Sequence, residues 1–377
     1  MIDFTIDLFP NEDLYTKLKH SDKPILVYGM GDGAAKIINV LRARNIEVKG
    51  IFASDEFVRG QSFMGYTVKR FVQLEVEFPD PLILVAFSSK LAEVREKVDC
   101  LRKKYELYVP DVNVSGDFFE VFDRDFLLRN FDLLNQSFDL LSDNESKTFF
   151  IDLIRYKLSG DLLYLDKLNC RDMISDLKPD ALIDMGAYVG DTVIEYTKRF
   201  PSIKKIIAYE PDKRHYKKLC DILNQREGLE AYPINAASSD TSSVVDFSDN
   251  KGRGSGHESY RCFDGFRPVK AKPVVTAKLD DMAGVLSSST LPLLKIDVEG
   301  MEEKAIRGAK SFIKEKAPMM IVSLYHNNRD IFRLPILLSE LCKDSFFYLS
   351  RKQVCFPAWE VELTIIPKLV YNQQNLP

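Results

Sequence analysis

Acidic, glycine and histidine residues follow the apolar segments between residues 181 and 330, at the point where each segment ends. The first segment, ALIDMGAYVGDT at 181–192, brings Asp184 and then Gly186 and Gly190. The later segments end in Glu210, Pro211 and Asp212, in Asn235 and Ala236, in Asp297 and Glu299, and in His326 and Asn327. Ligands of open α/β sheets bind beyond the carboxyl ends of the strands. If these segments are parallel strands, we therefore expect their terminal residues to form one site.

The residue types at these strand ends favour a ligand that carries a ribose, an adenine and a positive charge. Gly186 allows a tight turn and a close approach of the backbone. An acid at the position of Glu210 is suited to two ribose hydroxyls, and the small polar pair at 235–236 suits an adenine edge. The first turn reads G-x-x-x-G without a lysine, so it is not a P-loop, and the acids Asp184 and Glu210 would repel a pyrophosphate. S-adenosylmethionine has all three favoured features.

Seven apolar segments with strand character position these residues, and helical stretches separate most of them. They span residues 181–186, 204–210, 230–237, 292–299, 319–326, 346–353 and 362–370. A helix is expected over 301–315. Only a turn with proline and tryptophan separates the last two strands. The pattern predicts a mainly parallel, doubly wound α/β sheet that ends in an antiparallel pair.

The first 115 residues predict a smaller parallel α/β domain. PILVY at 24–28 is followed by a glycine turn, a helix and a second strand at 46–53. Residues 81–87 read as a buried strand and 90–105 as an amphipathic helix, whereas apolar residues recur at helical intervals between 117 and 175. We therefore expect three parts: an N-terminal Rossmann-like domain over 1–115, a helical connector over 116–178 and a third domain over 179–377.

The glycine turn of the N-terminal domain fits the pattern G-x-G-x-x-A through Gly29, Gly31 and Ala34, with Gly33 inside it. Asp55 follows about twenty residues later, where a dinucleotide site has its ribose acid. The domain resembles the small nucleotide-binding domains attached to sugar-modifying enzymes such as sialic-acid-type acyltransferases. The alternative is that the glycines only allow close packing between strand and helix.

Residues 181 to about 370 resemble the class I S-adenosylmethionine-dependent methyltransferases, and within that superfamily the FkbM family. The residues behind the resemblance are LIDMGAYVGDT at 182–192, YEPD at 209–212, TAKLDDM at 276–282, LLKIDVEGMEEKAIRGAKSFI at 293–313 and VSLYHNNRD at 322–330. The resemblance implies a seven-stranded methyltransferase sheet. It also implies transfer of a methyl group to an oxygen, often on a sugar or another small metabolite.

The resemblance assigns cofactor contacts to residues of this chain. Asp184, Gly186 and Gly190 would hold the methionine part of the cofactor. Glu210 would bind the ribose, and the pair at 235–236 would lie near the adenine. The implied cofactor set in full is Asp184, Gly186, Ala187, Tyr188, Gly190, Asp191, Thr192, Glu210, Pro211, Asp212, Asn235, Ala236 and Asp297.

The expected catalytic residues are His326, Asp297 and Glu299. A sugar hydroxyl is a poor nucleophile until it loses a proton, and histidine is suited to accept one near neutral pH. His326 is therefore the expected general base, with Asp297 or Glu299 orienting it or the substrate. The alternatives are a structural histidine, and acids that only favour the amino terminus of the following helix. The three side chains could also bind a divalent metal ion, although we favour a site without metal.

The acceptor is expected to be a small molecule or a glycan. Residues 251–261, KGRGSGHESYR, could form a lid that brings His257 and Arg261 over the acceptor, because long glycine-rich loops in compact domains are often functional, and the alternative is a plain loop. Asn327 is a further expected substrate contact. Two other classes stay open. One is an NAD(P)- or sugar-nucleotide-dependent sugar-modifying enzyme, and the other is a methyltransferase fold that has lost activity and only binds.

Composition argues against several classes of protein. A formal net charge of −4 over 377 residues gives no general attraction to nucleic acid. No apolar run approaches the about 20 residues of a membrane helix, and the first residues do not read as a signal peptide. Six scattered cysteines without a C-x-x-C pair fit reduced thiols. We expect a cytoplasmic protein without a nucleic-acid partner or a membrane span, and a homo-oligomer is compatible with the sequence.

Overall fold

The computed structural model describes residues 2–248 and 271–373. Its first part is a six-stranded sheet with flanking helices. The elements in chain order are α1 (Leu14–His20), β1 (Ile25–Tyr28), α2 (Asp32–Ala43), β2 (Val48–Ala53), β3 (Ser62–Phe63), β4 (Tyr66–Arg70), α3 (Phe71–Glu77), β5 (Leu82–Val85), α4 (Ala92–Arg102) and β6 (Glu106–Tyr108). The strand order is β3-β4-β2-β1-β5-β6, and only β3 runs antiparallel to its neighbour.

The centre of this first sheet is apolar because β1 and β5 bury all four of their residues. Continuous apolar strands are typical of parallel sheets that carry helices on both faces. α2 shares a core with the sheet and buries Ile37, Ile38 and Leu41. The predicted parallel α/β architecture is thus confirmed. The sequence patterns did not reveal β3, β4, α3 and β6, because β3 and β6 are short and β4 and α3 bury one residue each.

Four helices follow the first sheet: α5 (Arg124–Arg129), α6 (Phe131–Leu140), α7 (Asn144–Ser159) and α8 (Leu162–Leu165). Asp143 caps α7 by accepting a hydrogen bond from the amide of Ser146 at 2.7 Å, and Gly160 ends the helix with φ +65°. Helices therefore occupy the segment where a connector was expected. The proposed domain boundaries at residues 115 and 178 stay a prediction.

The second sheet has seven strands, as predicted. The remaining elements are β7 (Ala181–Met185), α9 (Asp191–Arg199), β8 (Lys205–Tyr209), α10 (Lys213–Asn224), β9 (Glu230–Ile234), β10 (Ala237–Ser238), β11 (Val244–Ser248), β12 (Ala271–Ala277), β13 (Pro292–Ile296), α11 (Glu302–Arg307), α12 (Lys310–Lys316), β14 (Met319–Ser323), α13 (Asp330–Leu341), β15 (Ser345–Arg351), β16 (Val361–Pro367) and α14 (Lys368–Gln373). The order is β15-β16-β14-β13-β7-β8-β9. β16 is antiparallel to both of its neighbours, and the other pairs are parallel.

In the part of the chain after residue 180, the structure differs from the sequence expectations in two places. The helix expected over 301–315 is divided into α11 and α12 at residues 308–309, and a Cβ on Gly308 would lie 1.9 Å from the carbonyl oxygen of Ser239, so this close approach requires glycine. β10, β11 and β12 form a small separate sheet that was not predicted. Short 3₁₀ helices complete the fold at Ile6–Leu8, Asp55–Phe57 and Asp280–Leu286.

One apolar cluster connects the two sheets. It contains Leu26 and Ile83 of the first sheet, Phe150 of α7, and Ile183 and Leu363 of the second sheet. The sheets and the connecting helices therefore share a core. Among the helices within 2–248 and 271–373, none combines the length and the apolar character that crossing a bilayer requires.

Candidate functional site

Asp184 lies at the carboxyl edge of the second sheet, where β7 pairs with β13. Its side chain is fully buried, and neither carboxylate oxygen has a hydrogen-bond partner among the described residues. Lys295, its neighbour across the strands, places Nζ 3.8 Å from Oδ1 of Asp184 and 3.3 Å from Oδ2 of Asp297. Burial raises the pKa of Asp184 to about 6, against the opposing effect of Lys295. A buried carboxylate without a donor is costly, so this position is suited to a ligand that donates hydrogen bonds.

The turn after β7 requires both of its glycines. Gly186 has φ +91°, and a Cβ there would lie 1.9 Å from the carbonyl oxygen of Asp297. Gly190 has φ +90° and precedes α9. The amides of Gly186 and Ala187 donate to the carbonyl of Tyr209 at 3.2 and 2.9 Å, which ties the turn to β8. The next two residues in the chain, Asp191 and Thr192, begin α9. Within the turn, Tyr188 is half exposed and has φ +49°.

Glu210 follows β8 directly and is 6% exposed. Burial raises its pKa to about 7, although backbone amides of Asp212 and Tyr188 oppose the shift. The amide of Asp212 donates to Oε1 of Glu210 at 2.7 Å. The second strand end thus holds a buried acid whose proton affinity is high for a carboxylate.

Two predicted cofactor residues shape the backbone that presents Glu210. Asn235 donates through Nδ2 to the carbonyls of Glu210 and Pro211, at 2.9 and 3.2 Å. Asp212 caps α10 by accepting from the amides of Arg214 and His215, at 2.8 and 3.0 Å. Ala236, beside Asn235, is buried.

His326 lies in the loop three residues beyond β14 and is fully buried. Its Nδ1 atom is 2.9 Å from Oε1 of Glu302. Its Nε2 atom is 3.5 Å from Oε2 of Glu299 and 3.7 Å from Oδ1 of Asp297. Tyr325 donates its hydroxyl hydrogen to Asp297 at 3.2 Å. The structure therefore brings the three predicted catalytic residues together.

The carboxylates around His326 control its protonation. Burial alone lowers the pKa of an imidazole, but Glu302, Glu299 and Asp297 together raise the pKa of His326 to about 10. For Asp297 the effects are reversed. Burial raises the pKa of this carboxyl group, but the nearby cations Lys295 and His326 outweigh burial and hold the pKa well below its usual range. In the free protein at neutral pH, His326 is therefore mostly protonated.

Glu302 is the residue that the sequence interpretation missed. It is 1% exposed, and its Oε1 atom also accepts from the amides of Val298 and Gly300, at 3.0 and 3.4 Å. These two bonds tie the turn at residues 298–300 to the start of α11. The available signal was an acid at the first position of a helix that follows a glycine turn.

The loop of His326 is held by residues from the first part of the chain. The amides of Val114 and Ser115 donate to the carbonyl of His326 at 2.9 and 3.1 Å. The amide of Asn328 donates to Oδ1 of Asn113 at 2.7 Å. Asn327, predicted to contact substrate, uses Oδ1 to accept from the amide of Arg329 at 3.0 Å, so this oxygen stabilises the loop.

Two further sets of predicted residues remain, together with the possibility of a metal ion. His257 and Arg261 fall outside the described residues. Gly29, Gly31, Gly33 and Ala34 form the junction of β1 and α2, whereas Asp55 begins the 3₁₀ helix after β2 and is exposed. Asp297, Glu302 and His326 offer donor atoms that all lie within 4.8 Å of one another, a spacing that could also hold a metal ion. The expectation of a site without metal stays a prediction.

The sheet order and the acids at its carboxyl edge define the class of the protein as a methyltransferase-type α/β fold. Residues 184–348 match the family model described as the methyltransferase FkbM domain. This part of the chain is therefore an FkbM-type methyltransferase domain. No curated protein matches the sequence significantly.

Among solved structures, the chain is similar to the methyltransferase FkbM from Methylobacillus flagellatus KT. The match has a TM-score of 0.66 at 16% identity and covers 91% of this chain and 90% of that one, so the likeness in fold includes the first sheet. A fibrillarin/Nop5p complex matches with a TM-score of 0.31 at 14% identity, over 50% of this chain and 71% of that chain. Trm1 from Pyrococcus horikoshii with S-adenosyl-L-methionine matches with a TM-score of 0.27 at 7% identity, over 60% of this chain and 57% of that chain. Such low scores support no conclusion about this protein.

Proposed function

We propose that the protein transfers the methyl group of S-adenosylmethionine to a hydroxyl oxygen of a sugar, a glycan or a related small metabolite, and releases S-adenosylhomocysteine. The observation that carries the proposal is the pair of buried acids, Asp184 and Glu210, at the ends of adjacent parallel strands. Asp184 has no hydrogen-bond donor among the described residues, and Glu210 is buried beside a helix cap.

The residues present fit this cofactor. Asp184 and the Gly186 turn would hold its methionine part, and Glu210 would accept from its ribose hydroxyls. Two buried acids favour a ligand with positive charge and hydroxyl donors over one with phosphates. When bound, the cofactor supplies a methyl group that is already activated by the sulfonium, so positioning of the acceptor oxygen accounts for much of the rate.

His326 is the proposed general base for the acceptor hydroxyl. Because Glu302 lies against Nδ1, the proton of the acceptor would go to Nε2, the atom that faces Asp297 and Glu299. The pKa of about 10 in the free protein means that this base is mostly protonated at neutral pH. A positive charge bound near Asp297 would lower that pKa and free the base.

The first test is calorimetric titration of the full chain with S-adenosylmethionine, S-adenosylhomocysteine and NAD⁺, for the wild type and for Glu210→Ala. We expect micromolar binding of the first two ligands. Loss of hydrogen bonds to a charged acceptor, each about 1.5–3 kcal/mol, should weaken binding in the variant about 10- to 100-fold.

Glu227→Ala is the matched control, because Glu227 is an exposed acid close by in the chain, and it should bind like the wild type. Absence of binding by both sulfur ligands would contradict the proposal. Tight NAD⁺ binding in that case would favour the nicotinamide-dependent alternative. Methyl transfer to a panel of sugars and glycans, with and without EDTA, then tests the acceptor class and the expected independence of metal.

A further inference from the structure

A cavity of about 440 Å³ lies at the carboxyl edge of the first sheet, and its lining contains none of the proposed cofactor or catalytic residues. Its wall includes Gly31 of the turn after β1, the first turns of α2, the end of β5 with the residues that follow it, and Pro110 with residues 112–114. Pro357 and Trp359, from the loop between β15 and β16, close it from the side of the second sheet. The volume is within the range of about 300–1,000 Å³ that is typical of small-molecule sites.

The position of the cavity is the expected ligand crevice of such a sheet. From β1 the chain order proceeds to β2 on one side and to β5 on the other. Ligands of open parallel sheets bind outside the strand ends where the order reverses in this way. The cavity occupies that crevice between β1 and β5.

The three positions of the β1–α2 turn are occupied by glycine for different physical reasons. Gly29 has φ +126°, and a Cβ on Gly33 would lie 2.8 Å from the carbonyl oxygen of Ala86, so the protein itself requires both. Gly31 has an ordinary φ of −104°, and among the described residues nothing lies within 4 Å of where its Cβ would be. Because Gly31 lines the cavity, its missing side chain leaves room for a ligand to approach the backbone.

The amino terminus of α2 favours an anion beside Gly31. α2 has 12 residues, and Gly31, Asp32 and Gly33 at its amino terminus line the cavity, where the amides of a first helical turn lack intrahelical partners. Lys90 lines the cavity and pairs with Glu360 at 3.0 Å, and Lys36 lies one turn into α2 and pairs with Asp32 at 2.9 Å. A phosphate would meet helix amides and a partly exposed lysine.

The rest of the wall favours a planar ring. Phe87, Pro357 and Trp359 present flat apolar surfaces, on which a base can stack. Asp55 is exposed and does not line the cavity, so the acid expected for a dinucleotide ribose is absent from this wall. A mononucleotide fits these features better than a dinucleotide.

We propose that this cavity binds a nucleoside diphosphate, free or linked to a sugar, with its phosphates at the amino terminus of α2 and its base toward Phe87 and Trp359. The site is separate from the proposed cofactor residues, so it does not depend on the function proposed above.

The test is calorimetric titration of the full chain with UDP, ADP, a UDP-sugar and inorganic phosphate. Gly31→Leu fills the cavity without backbone strain, and Lys90→Ala removes the cation. Gly284→Leu is the matched glycine control, because a Cβ there also meets nothing within 4 Å. Lys69→Ala is the matched lysine control, because Lys69 is a similarly exposed, ion-paired lysine of the same sheet.

We expect micromolar binding of at least one nucleoside diphosphate, with or without the sugar. Gly31→Leu and Lys90→Ala should each weaken it at least about tenfold, whereas both controls and the binding of S-adenosylhomocysteine stay unchanged. Stronger binding of the UDP-sugar than of UDP would identify the linked form as the ligand. Three results would overturn the proposal: no nucleotide binding, inorganic phosphate binding as tightly as the nucleotides, or nucleotide binding that survives Gly31→Leu.

Discussion

At the scale of single residues, the protonation of His326 is the central question of the site. Its imidazole contacts Glu302 on one side and faces Glu299 and Asp297 on the other. These anions raise its pKa from an ordinary value of 6.5 to about 10. The cation therefore stabilises the fold fully below pH 6.5, and this contribution is lost as the pH rises toward 10.

The proposed base role predicts a pH profile that depends on Glu302. kcat/KM should rise with pH, with an apparent pKa between 6.5 and 10, because only the neutral imidazole accepts a proton. Glu302→Gln removes one negative charge and should lower the apparent pKa of this rise in kcat/KM by about one unit. His326→Ala should lower kcat by about 10²–10⁴ and leave S-adenosylhomocysteine binding intact.

The measurement is the pH–rate profile of each variant. Glu303→Gln is the control, because Glu303 is the next residue in the chain and pairs with Arg307. Its pH–rate profile should have the same apparent pKa as that of the wild type. Wild-type turnover in His326→Ala would rule out the base role.

At the scale of elements, α10 determines how Glu210 is presented. The first amides of this helix are capped by Asp212, whose own amide donates to Glu210. Asp212, a predicted cofactor residue, thus has a structural role as a helix cap. The sequence pattern E-P-D alone does not show whether its aspartate caps the helix or binds the ligand. The two roles make different predictions for substitutions.

As a helix cap, Asp212 should matter for stability more than for affinity. Asp212→Ala should lower the free energy of unfolding by about 1 kcal/mol, whereas Asp212→Asn should cost less, because asparagine caps helices equally well. Urea unfolding followed by circular dichroism measures both. Affinity for S-adenosylhomocysteine should change less than tenfold. If Asp212→Ala lost the ligand at unchanged stability, Asp212 would be a direct cofactor contact.

At the scale of the whole molecule, distant segments meet behind the loop of His326. Lys157 of α7 forms a buried ion pair with Asp111, and its Nζ atom also donates to Oδ1 of Asn328 at 3.1 Å. The N-terminal sheet, the connecting helices and the second sheet are thereby joined at one point. The shared apolar core has the same effect.

Breaking this pair should destabilise the whole chain. Lys157→Met leaves Asp111 buried without its cation and should cost about 3–5 kcal/mol, whereas the double change Asp111→Leu with Lys157→Met should cost less. Because the core is continuous, urea should unfold the wild type in one transition. Lys167→Met, at an exposed lysine, is the control. Equal losses for the single and double variants would show that charge pairing is not the cause.

The sequence by itself determined the main strands of both sheets and the residues that lie at their ends. The apolar runs of β1, β5, β7 and β13 and the acids after β7 and β8 are local patterns, because strand burial and strand ends are properties of a few consecutive residues. The requirement for glycine at 186 is also visible locally, as a tight turn after a buried strand.

Only the tertiary structure decided which residues meet across the chain. It paired Glu302 with His326, held the His326 loop with residues 113–115, and closed the cavity of the first sheet with Pro357 and Trp359. These contacts join segments that are far apart in sequence, and no local period encodes them. They depend on how sheets and helices pack around a shared core, because packing sets the distances between side chains and hence their charges and partners.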